Sequence, residues 1–125
     1  MILEKLSLKK FETLDKIQGN EGAVIRQIFH PHNTLNGINH SLAHFELESG
    51  KRSLLHQIKS SETYYILEGS GKLHVNDEVF DVAKNDAVFV PPMSKQFIEN
   101  SGKSELKFLC IVDPPWTQED ETILE

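Results

Sequence analysis

A single cysteine, Cys110, excludes an internal disulfide. It lies in the apolar run Phe108-Leu109-Cys110-Ile111-Val112 and reads as a small buried hydrophobe, not a nucleophile. With no disulfide framework a reducing compartment is implied, and the cytoplasm is the expected location. Basic residues are the minority: 13 Lys and Arg stand against 19 Asp and Glu, a formal net charge of −6. That argues against nucleic acid as the main partner, because phosphates call for a basic face. No apolar run approaches the ~20 residues of a membrane-spanning helix, so no membrane partner is expected. The opening Met1-Ile-Leu-Glu4 is too short and too soon charged for a secretory leader. Helical periodicity is scarce as well, and only the acidic tail favours a short helix, from Thr117.

What the chain does have is alternation. In Ser41-Leu-Ala-His-Phe-Glu-Leu-Glu-Ser49, Ala43, Phe45 and Leu47 share one face, while His44 and Glu46 share the other. Ala23 to Phe29, Leu54 to Lys59, Thr63 to Leu67, Lys72 to Val75, Glu78 to Val82, Ala87 to Val90, Gln96 to Asn100 and Leu106 to Val112 read as further strands. Asn76-Asp77 is a hairpin signal, and Asn20-Glu-Gly22 marks a turn. Residues 1–20 supply Leu6, Leu8 and Phe11 as an edge strand, an exchanged strand or a cover. The stretch from His30 to His40 is a loop rich in Pro, Asn and Gly, and His30, His32 and His40 are expected at its surface. The 125 residues suffice for one domain, and many short strands with regular turns point to an all-β sandwich or barrel.

Two stretches carry a family likeness. The first, over residues 50–69, reads Gly50-x5-His56-x-Ile58-x3-Glu62-x6-Gly69. The second, over residues 85–100, reads Asn85-x5-Pro91-x-Met93-x2-Gln96-x3-Asn100. Order and spacing resemble the two motifs of the cupin superfamily, G-x5-H-x-H-x3,4-E-x6-G and G-x5-P-x-G-x2-H-x3-N, and in particular its small single-domain members. These include sequences labelled mannose-6-phosphate isomerase-like. The resemblance implies a double-stranded β-helix, or jelly-roll barrel, occupying residues 1–125 as one domain, with 113–125 as a tail. It implies a homodimer, a small-molecule partner and a central metal site.

By position the family's metal ligands fall on His56, Ile58, Glu62 and Gln96. Ile58 cannot coordinate, so the expected donors are His56, Glu62 and Gln96, holding Mn, Fe, Zn or Ni with weakened affinity. Tyr64 has the parity of Glu62, and both are candidate catalytic groups. Arg26 interrupts an apolar strand and needs a carboxylate, from the chain or from a ligand. Arg26, Tyr64, Ile58 and Ile98 are the candidate substrate contacts. Met93 stands where the family has a turn glycine, so the turn before Gln96 is expected to differ. His74 is expected to face outward, and Trp116 to close one barrel end. The leading expectation is a metal-dependent isomerase, lyase or oxygenase acting on a sugar, sugar phosphate or carboxylic acid. The alternatives are a binding or sensor module without tight metal, and a metal-free isomerase or epimerase using His56 and Glu62.

Overall fold

The structure, a computed structural model, describes residues 6–19, 23–32 and 35–125. The turn expected at Asn20–Gly22 and the opening Met1–Glu4 lie outside the described residues. The strands are β1 (Ile17–Gln18), β2 (Val24–Phe29), β3 (Ser41–Leu47), β4 (His56–Ile58), β5 (Ser61–Glu68), β6 (Ser70–Val75), β7 (Glu78–Ala83), β8 (Ala87–Val90), β9 (Lys95–Glu99), β10 (Leu106–Asp113) and β11 (Glu121–Ile123). They form two antiparallel sheets, ordered β1-β2-β3-β10-β5-β8 and β11-β4-β9-β6-β7. The result is the all-β jelly-roll barrel implied by the resemblance.

Period-2 alternation closes the barrel. On β3, Ala43, Phe45 and Leu47 are buried, and the register sets Phe45 beside Phe108 and Phe108 beside Ile66. The Phe45 and Phe108 rings stack with centroids 5.2 Å apart. Leu73, Val75, Ile98 and Val90 complete the core from the other strands. Each fully buried side chain of this kind contributes about 1.5–3 kcal/mol, and together they offset the entropy of ordering the chain.

Two departures from expectation lie in the turns and the tail. Asn85 and Met93 both occupy the left-handed region, at φ 75° and φ 67°. The turn before Gln96 therefore keeps the backbone a glycine would adopt, and the Met93 amide donates to the Ile58 carbonyl at 2.9 Å. A left-handed methionine costs roughly 1–2 kcal/mol, against the roughly 0.4–1 kcal/mol of unfolded-state entropy that glycine would add. Met93→Gly is expected to stabilise the protein by about 0.5–1 kcal/mol, read as a higher urea midpoint at constant slope.

The acidic tail is not a free helix. Thr117 Oγ1 accepts from the Asp120 amide in a single 3-10 turn over Gln118–Asp120, and β11 then pairs with β4. Glu125 closes the tail with a bidentate ion pair to Arg52. At the other end, Leu6 and Leu8 are exposed, and Phe11 lies in a 3-10 turn over the outside of the first sheet.

Candidate functional site

A cavity of about 260 Å³ opens between the sheets at one end of the barrel. Ser41, Val112 and Glu62 lie side by side on β3, β10 and β5, and form its floor on the first sheet. His56 and Ile58 face it from β4, two residues apart and hence on one side of the strand. Trp116 and Gln118 also line it, and β11 adds Glu121, paired opposite Ile58.

His56 is 4% exposed and Glu62 6%. The His56 Nδ1 lies 2.9 Å from the Leu54 carbonyl oxygen. A carbonyl only accepts, so Nδ1 carries a proton, and in the neutral ring Nε2 is the acceptor. Among the described residues no hydrogen bond reaches that Nε2. The site thus holds a fixed imidazole acceptor beside a buried carboxyl group.

Gln96 pairs with His56 across β9 and β4 but does not line this cavity. It is 1% exposed, and its Oε1 accepts the Tyr64 hydroxyl at 2.5 Å. Tyr64 and Ile98 line a pinch of about 10 Å³ that His56 and Glu62 also touch. The structure therefore brings together His56, Ile58 and Glu62 on the cavity wall, with Tyr64, Gln96 and Ile98 immediately behind.

Arg26 is elsewhere. Its position on β2 pairs it with His44, on the outward parity of the sheet, and its guanidinium meets Glu46 there and covers the Phe11 ring. Its carboxylate comes from the chain, so Arg26 does not serve the cavity. His30 departs from the surface expectation. It is 5% exposed; its Nε2 donates to the Trp116 carbonyl at 2.6 Å and its Nδ1 accepts the His32 amide, which ties the loop to the cavity's end. His74 is half-buried, stacked on Phe97 and bonded to Glu99. Asn100, the last residue of the second motif, bonds the Leu47 and Ser104 carbonyls. Its role is structural.

A resident divalent ion needs several donors converging on one point. His56, Glu62 and Glu121 line the cavity, while the amide oxygen of Gln96 is already bonded to Tyr64. Among the described residues no group of three or more His, Cys, Asp or Glu side chains is placed to hold a metal ion. Tightly held catalytic zinc uses three protein ligands, so this set does not fit a resident ion of that kind.

On the outside of the first sheet, His44 packs edge-on against Phe11, and its buried Nδ1 has no partner. Burial holds its pKa below the ordinary 6.5, with Arg26 and Lys107 adding to the effect and Glu46 opposing it. Burial alone would raise the Glu46 carboxyl, but the hydrogen bond and charge of Arg26 outweigh it and hold Glu46 below the usual carboxylate range. The unfolded chain binds a proton at His44 before the folded one does. Stability from this site is thus complete above about pH 6.5 and is lost as pH falls toward the folded value. Denaturant titrations between about pH 7 and 5 are expected to show that loss in the native protein and a flatter profile in His44→Leu.

Two sheets rolled around one polar-floored cavity define a cupin barrel. Residues 43–112 match the family Cupin_2, described as "Cupin domain", and the chain belongs to that family. It is 38% identical, over the whole of both chains, to an uncharacterized protein of Methanocaldococcus jannaschii. It is 26% identical to an oxalate-binding protein of Thermotoga maritima, over 81% of this chain and 84% of the other. The crystal structure of ectoine synthase from P. lautus superposes with a TM-score of 0.77 at 19% identity, covering 96% of this chain and 91% of that one; this likeness is one of fold.

Gln18, Gln27, Ser41, Gln118 and Glu121 are cavity residues that sequence reasoning missed. Parity marks Gln27 as sharing a face with Ile25, which was a usable signal. Nothing local marks Glu121, because its position follows from the pairing of β11 with β4.

Proposed function

We propose that the protein binds a small polar molecule in the barrel cavity and that His56 and Glu62 act on it directly, by hydrogen bonding and proton transfer. The observation that carries this reading is the His56 ring. Its tautomer is held by Leu54, so a lone pair is kept beside a buried carboxyl group on a cavity wall. This supports the metal-free form of the expected chemistry, with Tyr64 and Gln96 as positioning residues. The two cavity groups could pass a proton between two atoms of one ligand, the exchange an isomerase or epimerase requires.

A fragment library screened by ligand-observed NMR tests this. Fragments that bind the native protein are expected to lose at least tenfold in affinity in His56→Ala, the loss of about 1.4 kcal/mol that one buried hydrogen bond supplies. Equal binding to His56→Ala and Glu62→Gln would place the ligand elsewhere.

A bound divalent ion is the second reading, favoured by the same tautomer, since metal-binding imidazoles donate their other N–H to a carbonyl. His56 and Glu62 would hold it, and Gln96 would join only on release from Tyr64. Titration with Mn, Fe, Ni and Zn salts separates the two readings. For assembly, a second copy of the chain is the proposed partner. Leu42, Ile111, Thr63 and Phe89 form an adjacent row across the first sheet, with Phe89 63% and Ile111 40% exposed, and the exposed Leu6 and Leu8 offer an apolar arm to cover such a face.

A further inference from the structure

The outer face of the first sheet holds a buried imidazole that takes no part in the cavity. His44 is 7% exposed, and its Nδ1 has no hydrogen-bond partner. Phe11 packs edge-on against this ring, with centroids 4.7 Å apart. The Arg26 guanidinium lies over the same Phe11 ring, its Cζ 4.4 Å from the centroid, and Glu46 holds Arg26 there. Two side chains of the barrel, one on β3 and one on β2, thus grip Phe11.

Six residues further on, the same chain reaches the cavity, which Ile17, Gln18 and Gly19 line. β1 stands at the edge of its sheet and pairs with β2 alone, Ile17 opposite Ile25 and Gln18 opposite Val24. The Gly19 amide adds one bond, to the Ala23 carbonyl at 2.9 Å. A two-residue edge strand with both residues exposed has low local stability. Six residues span at most about 20 Å, so the grip on Phe11 anchors β1 through a short tether.

The protonation state of His44 decides how well that grip holds. An imidazolium carries an N–H on both nitrogens, and a buried donor without an acceptor is costly. The charged groups that face His44 are Glu46 on β3, Arg26 on β2, Lys107 on β10 and Glu68 on β5, while Lys10 and Glu12 flank Phe11 on its turn. Burial is the largest influence and disfavours the charged ring; Arg26 and Lys107 act with it, and Glu46 and Glu68 against it. Lifting Phe11 away uncovers the ring and lets water solvate the added N–H.

We propose that residues 11–19 form a pH-sensitive strap, in which Phe11 holds β1 at the cavity while His44 is neutral and releases it when His44 takes a proton. The strap governs access to the cavity and stands apart from what the cavity binds.

Amide exchange and the fluorescence of Trp116, the one tryptophan and a cavity residue, test the strap. Between about pH 7.5 and pH 5.5 the protection factor of the Gly19 amide is expected to fall by up to about tenfold, the span that an ordinary imidazole pKa of about 6.5 allows. Acrylamide quenching of Trp116 is expected to rise in step. The buried Ile98 amide, bonded to Ser53, is expected to stay roughly a hundredfold better protected, which marks the opening as local. Phe11→Ala is expected to give low protection of Gly19 and strong quenching at both pH values, and His44→Leu to remove the pH response of both readouts. Equal protection of Gly19 and Ile98, a flat pH profile in the native protein, or a pH response that survives in His44→Leu would overturn the strap. Constant Trp116 quenching while Gly19 opens would also overturn it, by separating β1 from access to the cavity.

Discussion

Gly69→Ala is expected to destabilise the barrel strongly. Gly69 is the one residue between β5 and β6, where the chain passes from the first sheet to the second. Its φ is 85°, a conformation that costs an L-residue roughly 1–2 kcal/mol. A Cβ there would also lie 2.7 Å from the Glu105 carbonyl oxygen, a backbone atom that moves only if β10 moves. Overpacking of this kind adds about 1–3 kcal/mol. The two penalties sum to about 2–5 kcal/mol, a large part of the 5–15 kcal/mol that holds an ordinary domain. A urea titration should show the midpoint fall sharply. A midpoint within experimental error of the native one would mean that the crossover yields freely, against the packing described.

Removing the Tyr64 hydroxyl is the second change of large expected effect. Tyr64 and Gln96 come from different sheets, and the bond between them is buried. In Tyr64→Phe the Gln96 Oε1 loses the donor it has at 2.5 Å, a loss of about 1–3 kcal/mol. Tyr64→Phe with Gln96→Leu removes both partners and should recover much of that loss. The coupling energy of the double-mutant cycle measures the bond. Additive losses would show that the two side chains do not act as a pair. The same variant bears on function, because it frees the amide oxygen that Tyr64 withholds. Manganese or zinc that binds Tyr64→Phe more tightly than the native protein would show why the native donor set is short.

The strands from Val24 to Asp113 were legible because alternation is a local property. Val24 to Phe29, Ser41 to Leu47 and Leu106 to Asp113 each announce their faces residue by residue. Motif spacing placed His56, Ile58 and Glu62 together, and parity alone puts His56 and Ile58 on one face. The bond that takes Gln96 out of the cavity-facing donors was not legible. It depends on a hydroxyl 32 residues away. Glu46 was visible on the face opposite Phe45, and Arg26 as a cation in need of a carboxylate, but their meeting depends on the register of β2 on β3. Met93 misled because the sequence argument assumed that a left-handed turn needs glycine, whereas the flanking strands hold methionine there at φ 67°.

The amino-acid order alone determined the barrel, its buried stripe of Ala43, Phe45 and Leu47, and the two side chains at the heart of the site. Those follow from period and spacing, which any short segment carries within itself. Tertiary structure decided what surrounds them: a tail strand returning Glu121 to the cavity, Trp116 on its lining, and Arg26 held on the opposite face of the sheet. Those are choices of partner between distant segments. They are settled by register and closure, because a side chain's charge or hydrogen bond has meaning only once the strand opposite it is known.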